Sequence, residues 1–187
     1  LGIGQGYNSF TMLQLAQATA TVANGGFKRR PHLALATRDA VTGVVTPVAQ
    51  PPAENLGYKP AHVAVIRDGL VSVVTSGTAR SVFAGAPYQA AGKTGTAQAV
   101  TQAQNTKYNA RALEDAPANE PRIALAAIVE NAGWGAGAAA PIARRVFDYW
   151  LADQYPSEED LAAVRIGRAG APMGKPRVAS EIKWPAP

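Results

Sequence analysis

The sequence predicts an α/β chain of the α+β type, in which helices and strands succeed one another without strict alternation. Three observations lead there. Apolar residues recur at helical spacing in two stretches, 12–23 and 60–74. A short, strongly apolar run, "RIALAAIV" from Arg122 to Val129, has the brevity and flanks of a buried strand. A third kind of segment, Tyr88 to Val100, is built of alanine, glycine and threonine and reads as a strand around a lone lysine.

Taken in order, the chain opens on Gly2, Gly4 and Gly6, a tight entry into the first helix. Thr11-Met12-Leu13-Gln14 has the pattern of a capping box, threonine as N-cap and glutamine three residues on. A helix over Met12 to Ala23 is expected, with Leu15, Ala16, Thr19, Val22 and Ala23 on one face and Asn24-Gly25-Gly26 as its end. His32 to Thr37 and Val44 to Val48 read as short strands around Asp39 to Gly43, and Gln50-Pro51-Pro52-Ala53 as a linker. The second helix runs from Pro60 to Val74, with Val63, Ile66, Leu70 and Val73 as a core face. Ser76-Gly77-Thr78-Ala79 is a turn before the lysine strand. Thr101 to Pro121 shows no apolar strand. After Arg122 to Val129, Pro141 is placed in the first turn of a helix carrying Ile142, Val146, Phe147 and Trp150. The chain is thus divided into a folded part, 1–152, and a proline-rich tail, 153–187, expected to be mobile for want of apolar periodicity.

Composition narrows the chemistry. The 187 residues are 47% hydrophobic and 17% charged, the balance of a globular chain. There is no cysteine, which excludes disulfides, thiolate metal sites and a cysteine nucleophile. His32 and His62 are the only imidazoles and lack metal-ligand spacing, so neither metal nor cofactor is expected. The net charge is +5, and its densest cluster, Lys28-Arg29-Arg30, reads as a solvated loop. No aromatic residues interleave with it, so no nucleic-acid partner is expected. No run of 18 apolar residues and no signal peptide occurs, and Leu1 is not an initiator methionine, so the chain is expected to begin inside a larger protein or after processing.

The segment with the most chemistry is "AAGKTGTAQ", Ala90 to Gln98. A phosphate loop, G-x-x-x-x-G-K-[ST], would need a glycine five residues before Gly92, where Pro87 stands, and a helix afterwards, which Gly95 and the threonines disfavour. Read as a strand, Lys93-Thr94-Gly95 fits a different use. Gly95 leaves room for a peptide to lie against the backbone. Lys93 supplies a field for a carboxylate, and Thr94 and Thr96 supply hydroxyl donors. K-T-G is one of three boxes of the serine β-lactamase and penicillin-binding group.

The blocks around it, "GIGQGYNSFTMLQLAQATATVANGG", "RPHL", "DGLVSVVTSGTARSVFAGAPYQAAGKTGTAQ" and "RIALAAIVENAGWGAGAAAPIARRVFDYWL", occur in the order found in class B penicillin-binding proteins. Over roughly residues 1–152 the chain resembles the C-terminal part of their transpeptidase domain. The resemblance implies an antiparallel sheet flanked by helices, penicillin-binding protein and serine β-lactamase-like, here as an incomplete domain. It implies that Lys93, Thr94, Gly95 and Thr96 bind substrate, the two hydroxyls holding a terminal carboxylate. It also implies that the backbone N–H of Thr96 is an oxyanion-hole donor. The activity implied is peptidoglycan D,D-transpeptidation in cell elongation, on D-alanyl-D-alanine stem peptides, with β-lactams as trapped mimics. Partners implied are other cell-wall elongation proteins, and the location is the periplasmic face of the inner membrane, held by an N-terminal anchor. Two alternatives share the residues: a D,D-carboxypeptidase or β-lactamase of the same fold, and a non-catalytic cell-wall scaffold module.

Two parts of that pattern are missing. The nucleophile box S-x-x-K matches only at Ser180-Glu181-Ile182-Lys183, on the wrong side of K-T-G, and S-x-N does not occur. The nucleophilic serine is therefore expected outside this chain. A strand rich in aromatics, usual in the family after K-T-G, is not visible between Thr101 and Pro121, which reads as a deletion or a partial chain.

Overall fold

The computed structural model describes residues 9–97, 109–116, 118–130 and 132–182. Helix α1 spans Met12–Ala23, and the expected capping box closes it: the Gln14 N–H donates to Thr11 Oγ1 at 3.1 Å and the Thr11 N–H to Gln14 Oε1 at 2.9 Å. At its other end Asn24 brackets Phe27 with its side-chain amide, and Gly26 adopts φ +97°, where any Cβ would meet the Tyr58 ring at 2.9 Å. The glycines at 2, 4 and 6 lie outside the described residues.

Strands β1 (Phe27–Lys28) and β4 (Glu54–Asn55) pair, and between them β2 (Ala36–Arg38) and β3 (Val45–Pro47) make a separate antiparallel hairpin. Its turn is organised by Asp39, whose Oδ1 accepts from the N–H groups of Val41 and Thr42 and from the Thr42 hydroxyl. Those bonds hold the Asp39 carboxyl below its ordinary pKa, the Thr42 backbone contributing most.

Helix α2 (Pro60–Thr75) starts on a proline, as its sequence suggests, and buries Val63 and Val74. Ile66, expected in its core face, is 49% exposed and Val65 71%. A four-residue helix, α3 (Arg80–Phe83), then leads to β5 (Ala91–Ala97). The main sheet has the order β5–β6–β7, antiparallel throughout, with β6 at Asn109–Ala116 and β7 at Ile123–Val129.

Strand β6 corrects the sequence reading, which found no strand between Thr101 and Pro121. "NARALEDA" carries few β-formers, and its composition favours helix. It is extended because it is the middle strand. Each of its eight residues pairs with β5 or β7, and six pair with both, so the ladder satisfies its backbone on both sides and overrides propensity.

Alternation along β7 puts Ile123, Leu125, Ala127 and Val129 on one face, where they meet α4 (Gly135–Ala152), while α1 also packs against β7. The sheet thus lies between helices. The core gathers on the α4 face around Phe147, fully buried, with the Phe83 and Tyr88 rings at 6.5 and 6.3 Å. Helix α4 begins six residues before Pro141, not at it. Ala139, Ala140 and Ala143 are fully buried, and side chains this small let the helix axis approach the sheet closely enough to extend the contact N-terminally. The Gly137 carbonyl lies one helical turn before Pro141, and Gly137 has open space beside it.

Of the segment 153–187, read as a tail without periodicity, the described residues 153–182 contain helix α5 (Glu158–Arg165) and are bonded back to α4. Ser157 caps α5, Tyr155 and Arg177 exchange backbone hydrogen bonds, and Asp160 is fully buried against Arg145.

Candidate functional site

Lys93, Thr94, Gly95 and Thr96 all lie on β5, opposite Leu113, Ala112, Arg111 and Ala110 of β6. Among the described residues β5 is an edge strand, so its other side presents unpaired backbone groups to which an extended peptide can add. Lys93 is exposed, and its ammonium donates to the Thr94 carbonyl. Thr94, Gly95 and Thr96 are half-buried.

Strand alternation separates groups that the sequence reading placed together. Thr94 and Thr96 share one face of β5, while Lys93 and Gly95 share the other. A ligand reaching both threonine hydroxyls and the lysine must therefore lie along the edge of β5 rather than on either face.

The strand is held at its entry. Arg144 and Asp148 of α4 are both buried, and the Arg144 Nε donates to both carboxylate oxygens at 2.9 Å. Arg144 Nη1 donates to the carbonyls of Val82 and Ala84 at 3.0 Å each, and the Tyr88 hydroxyl donates to Asp148 Oδ1 at 2.7 Å. Burial, then the hydrogen bond and charge of Asp148, push the Tyr88 hydroxyl well above its ordinary pKa, with Arg144 opposing. The same chain segment is tied on its other flank: the Ala118 N–H donates to the Gln89 carbonyl at 2.7 Å, and Arg67 of α2 donates to the Ala118 carbonyl. These ties fix the segment from Val82 to Gln89, two to nine residues before Ala91, so β5 enters the sheet with little freedom.

One contact at the site was not foreseen. The hydroxyls of Thr78 and Thr94 are 2.7 Å apart. In sequence Thr78 belongs to a turn; only the fold brings it beside K-T-G, sixteen residues away. No group of three histidine or carboxylate side chains fit to hold a metal occurs among the described residues. Three of the serines are engaged elsewhere: Ser72 and Ser76 donate to helix carbonyls and Ser157 to the Met173 carbonyl at 2.6 Å. Ser180 is exposed in a single turn of 3-10 helix, and Lys183 lies outside the described residues.

Comparison with known proteins agrees with this fold. The profile described as penicillin binding protein transpeptidase domain matches residues 1–148. A peptidoglycan D,D-transpeptidase MrdA of Haemophilus influenzae is 39% identical over 175 residues, 85% of this chain and 26% of that protein. The Acinetobacter baumannii protein of the same name is 41% identical over 162 residues, 81% of this chain and 24% of its own length. The chain thus spans about a quarter of these relatives. Among solved structures, Pseudomonas aeruginosa PBP2 in complex with WCK 5153 superposes with a TM-score of 0.68 at 42% identity, over 82% of this chain and 33% of that one. The fold, the ordered blocks around K-T-G and these matches lead to one conclusion: the chain belongs to the penicillin-binding protein transpeptidase domain family.

Proposed function

We propose that this chain is the part of an elongation-type peptidoglycan D,D-transpeptidase that supplies the substrate-binding strand, while the nucleophilic serine belongs to a part of the protein outside it. The observation that carries this reading is Lys93-Thr94-Gly95-Thr96 on a sheet edge whose backbone is open to a peptide. A D-alanyl-D-alanine stem peptide would lie antiparallel or parallel to β5 in the manner of an added strand. The hydroxyls of Thr94 and Thr96 would hold its terminal carboxylate, with Lys93 providing the field.

The serine oxygen would attack the penultimate D-alanine carbonyl. The tetrahedral oxyanion would be met by the Thr96 backbone N–H, a donor fixed before reaction by the strand itself. The bond to terminal D-alanine breaks, D-alanine leaves as a protonated amine, and an acyl-serine ester remains. An amine from a neighbouring stem peptide then attacks that ester, forms the crosslink and returns the proton to the serine oxygen. A β-lactam enters the same path and stops at the ester.

The open apolar surface fits a partial domain. Val65 and Ile66 of α2, and Leu33, Leu35 and Val41 around the β2–β3 hairpin, are the side chains the rest of the domain would cover. The complete protein is proposed to act at the periplasmic face of the inner membrane with other elongation proteins. No described helix is long and apolar enough to cross a membrane.

The test is covalent labelling of the full-length protein with a fluorescent penicillin, and then peptide mapping. The modified residue should be a serine outside residues 1–187, with lysine three positions later. Labelling within this chain, or none at all, would refute the reading.

A further inference from the structure

The turn after α2 is built with more care than a connector requires. The Gly77 N–H donates to the Ser72 carbonyl at 2.8 Å and the Ala79 N–H to the Val73 carbonyl at 3.1 Å. A Cβ on Gly77 would lie 2.8 Å from the Val73 Cα and 3.0 Å from its carbonyl oxygen, so only glycine permits this closure. Ala79 is 1% exposed and sits in the core with Val82, Phe83 and Phe147. Thr78, held on both sides, is itself exposed, and its hydroxyl is delivered to Thr94 Oγ1 at 2.7 Å.

Two hydroxyls at that distance share one hydrogen, and either can be the donor. A bound carboxylate removes the choice. A carboxylate only accepts, so Thr94 must point its hydrogen at the ligand, and its lone pair is then free to accept from Thr78. We propose that Thr78 is a positioning residue of the substrate site: by donating to Thr94 it fixes that side chain's rotamer and commits its hydrogen to a ligand carboxylate. This rests on the reading of Thr94 as a carboxylate-binding hydroxyl.

Donation by Thr78 also polarises the Thr94 hydroxyl, and the chain Thr78→Thr94→carboxylate ends on a charge, which strengthens each link. Without Thr78 the Thr94 hydroxyl can rotate and turn its hydrogen to a backbone acceptor or to water, and the ligand must then reorganise it.

The experiment uses the full-length protein and two probes, benzylpenicillin and its methyl ester, which lacks the carboxylate. The ratio of their acylation rates measures what the site gains from that group. Thr78→Val should slow acylation by the acid about tenfold and leave the ester rate unchanged, as expected for loss of one charge-linked hydrogen bond. Thr78→Ser should restore the ratio to within about twofold, because it returns the hydroxyl. The thermal midpoint should hold, since Thr78 is exposed, and the ester rate confirms that each variant is folded. Equal slowing of acid and ester by Thr78→Val, or an unchanged ratio, would overturn the proposal in favour of a purely structural turn. Thr94→Val separates this from the parent reading. A collapsed ratio there with an intact one in Thr78→Val sinks only the role of Thr78. An intact ratio in Thr94→Val, or no acylation of the unaltered protein, sinks both.

Discussion

Arg145 and Asp160 meet through two hydrogen bonds, Nη2 to Oδ1 at 2.6 Å and Nε to Oδ2 at 2.9 Å, across the gap between α4 and the segment read in sequence as a tail. Asp160 is fully buried, and its Oδ1 also accepts from the Met173 N–H at 3.1 Å. Removing one partner of so buried a pair costs about 3–5 kcal/mol, because the other charge is stranded. Asp160→Ala should therefore release residues 153–182 from α4. In limited proteolysis of the full-length protein, the unaltered segment should resist as well as the helix near Phe147, and the variant should be cut after residue 153. Equal cleavage of both proteins in this segment would show that the ion pair does not secure it.

In the full-length protein Lys93→Ala should slow penicillin acylation by about a hundredfold, the scale of losing one preorganised electrostatic group. Lys93 is exposed and bonds only to a neighbouring carbonyl in the described structure, so the thermal midpoint should hardly move. Normal acylation kinetics would remove Lys93 from the site.

In the full-length protein Gly95→Val should set a branched side chain on the Lys93 face of β5, crowding a peptide added along its edge. Valine favours strand, so stability should change by less than about 1 kcal/mol while β-lactam binding is lost. Retained binding would place the ligand elsewhere.

Tyr88 links the fold to alkaline pH. Its hydroxyl is held above its ordinary pKa of about 10. Above pH 10 the unfolded chain releases this proton while the folded chain keeps it, so by linkage this contribution is complete below about pH 10 and declines above it. Tyr88→Phe should cost about 1.5 kcal/mol at neutral pH, for a hydrogen bond to a carboxylate, and should flatten the loss of stability between pH 10 and 12. Denaturant midpoints across that range test both.

The 187-residue chain by itself should not be labelled by a fluorescent penicillin. Covalent capture needs a serine with a base in reach, and Ser72, Ser76 and Ser157 are bonded to backbone carbonyls instead. Stoichiometric labelling of the purified chain at any of its serines would contradict this.

Legibility tracked distance along the chain. Local pattern was enough for α1, because Thr11 and Gln14 cap it within one turn, and for the start of α2, because Pro60 already has a helical φ. It was enough for β7 through an apolar run, and it placed K-T-G on a strand through small and β-branched residues. Tertiary contacts settled the rest. They made "NARALEDA" a strand because two neighbours satisfied its backbone, and they left Ile66 open on a helix whose period marked it as core. They started α4 before Pro141 because buried alanines let that helix reach the sheet. They brought Thr78 to Thr94 and Asp160 to Arg145 across sixteen and fifteen residues. Capping and periodicity are written within a turn of the chain, whereas pairing, burial and a hydroxyl's partner depend on what the fold carries alongside, and a local pattern holds no record of that.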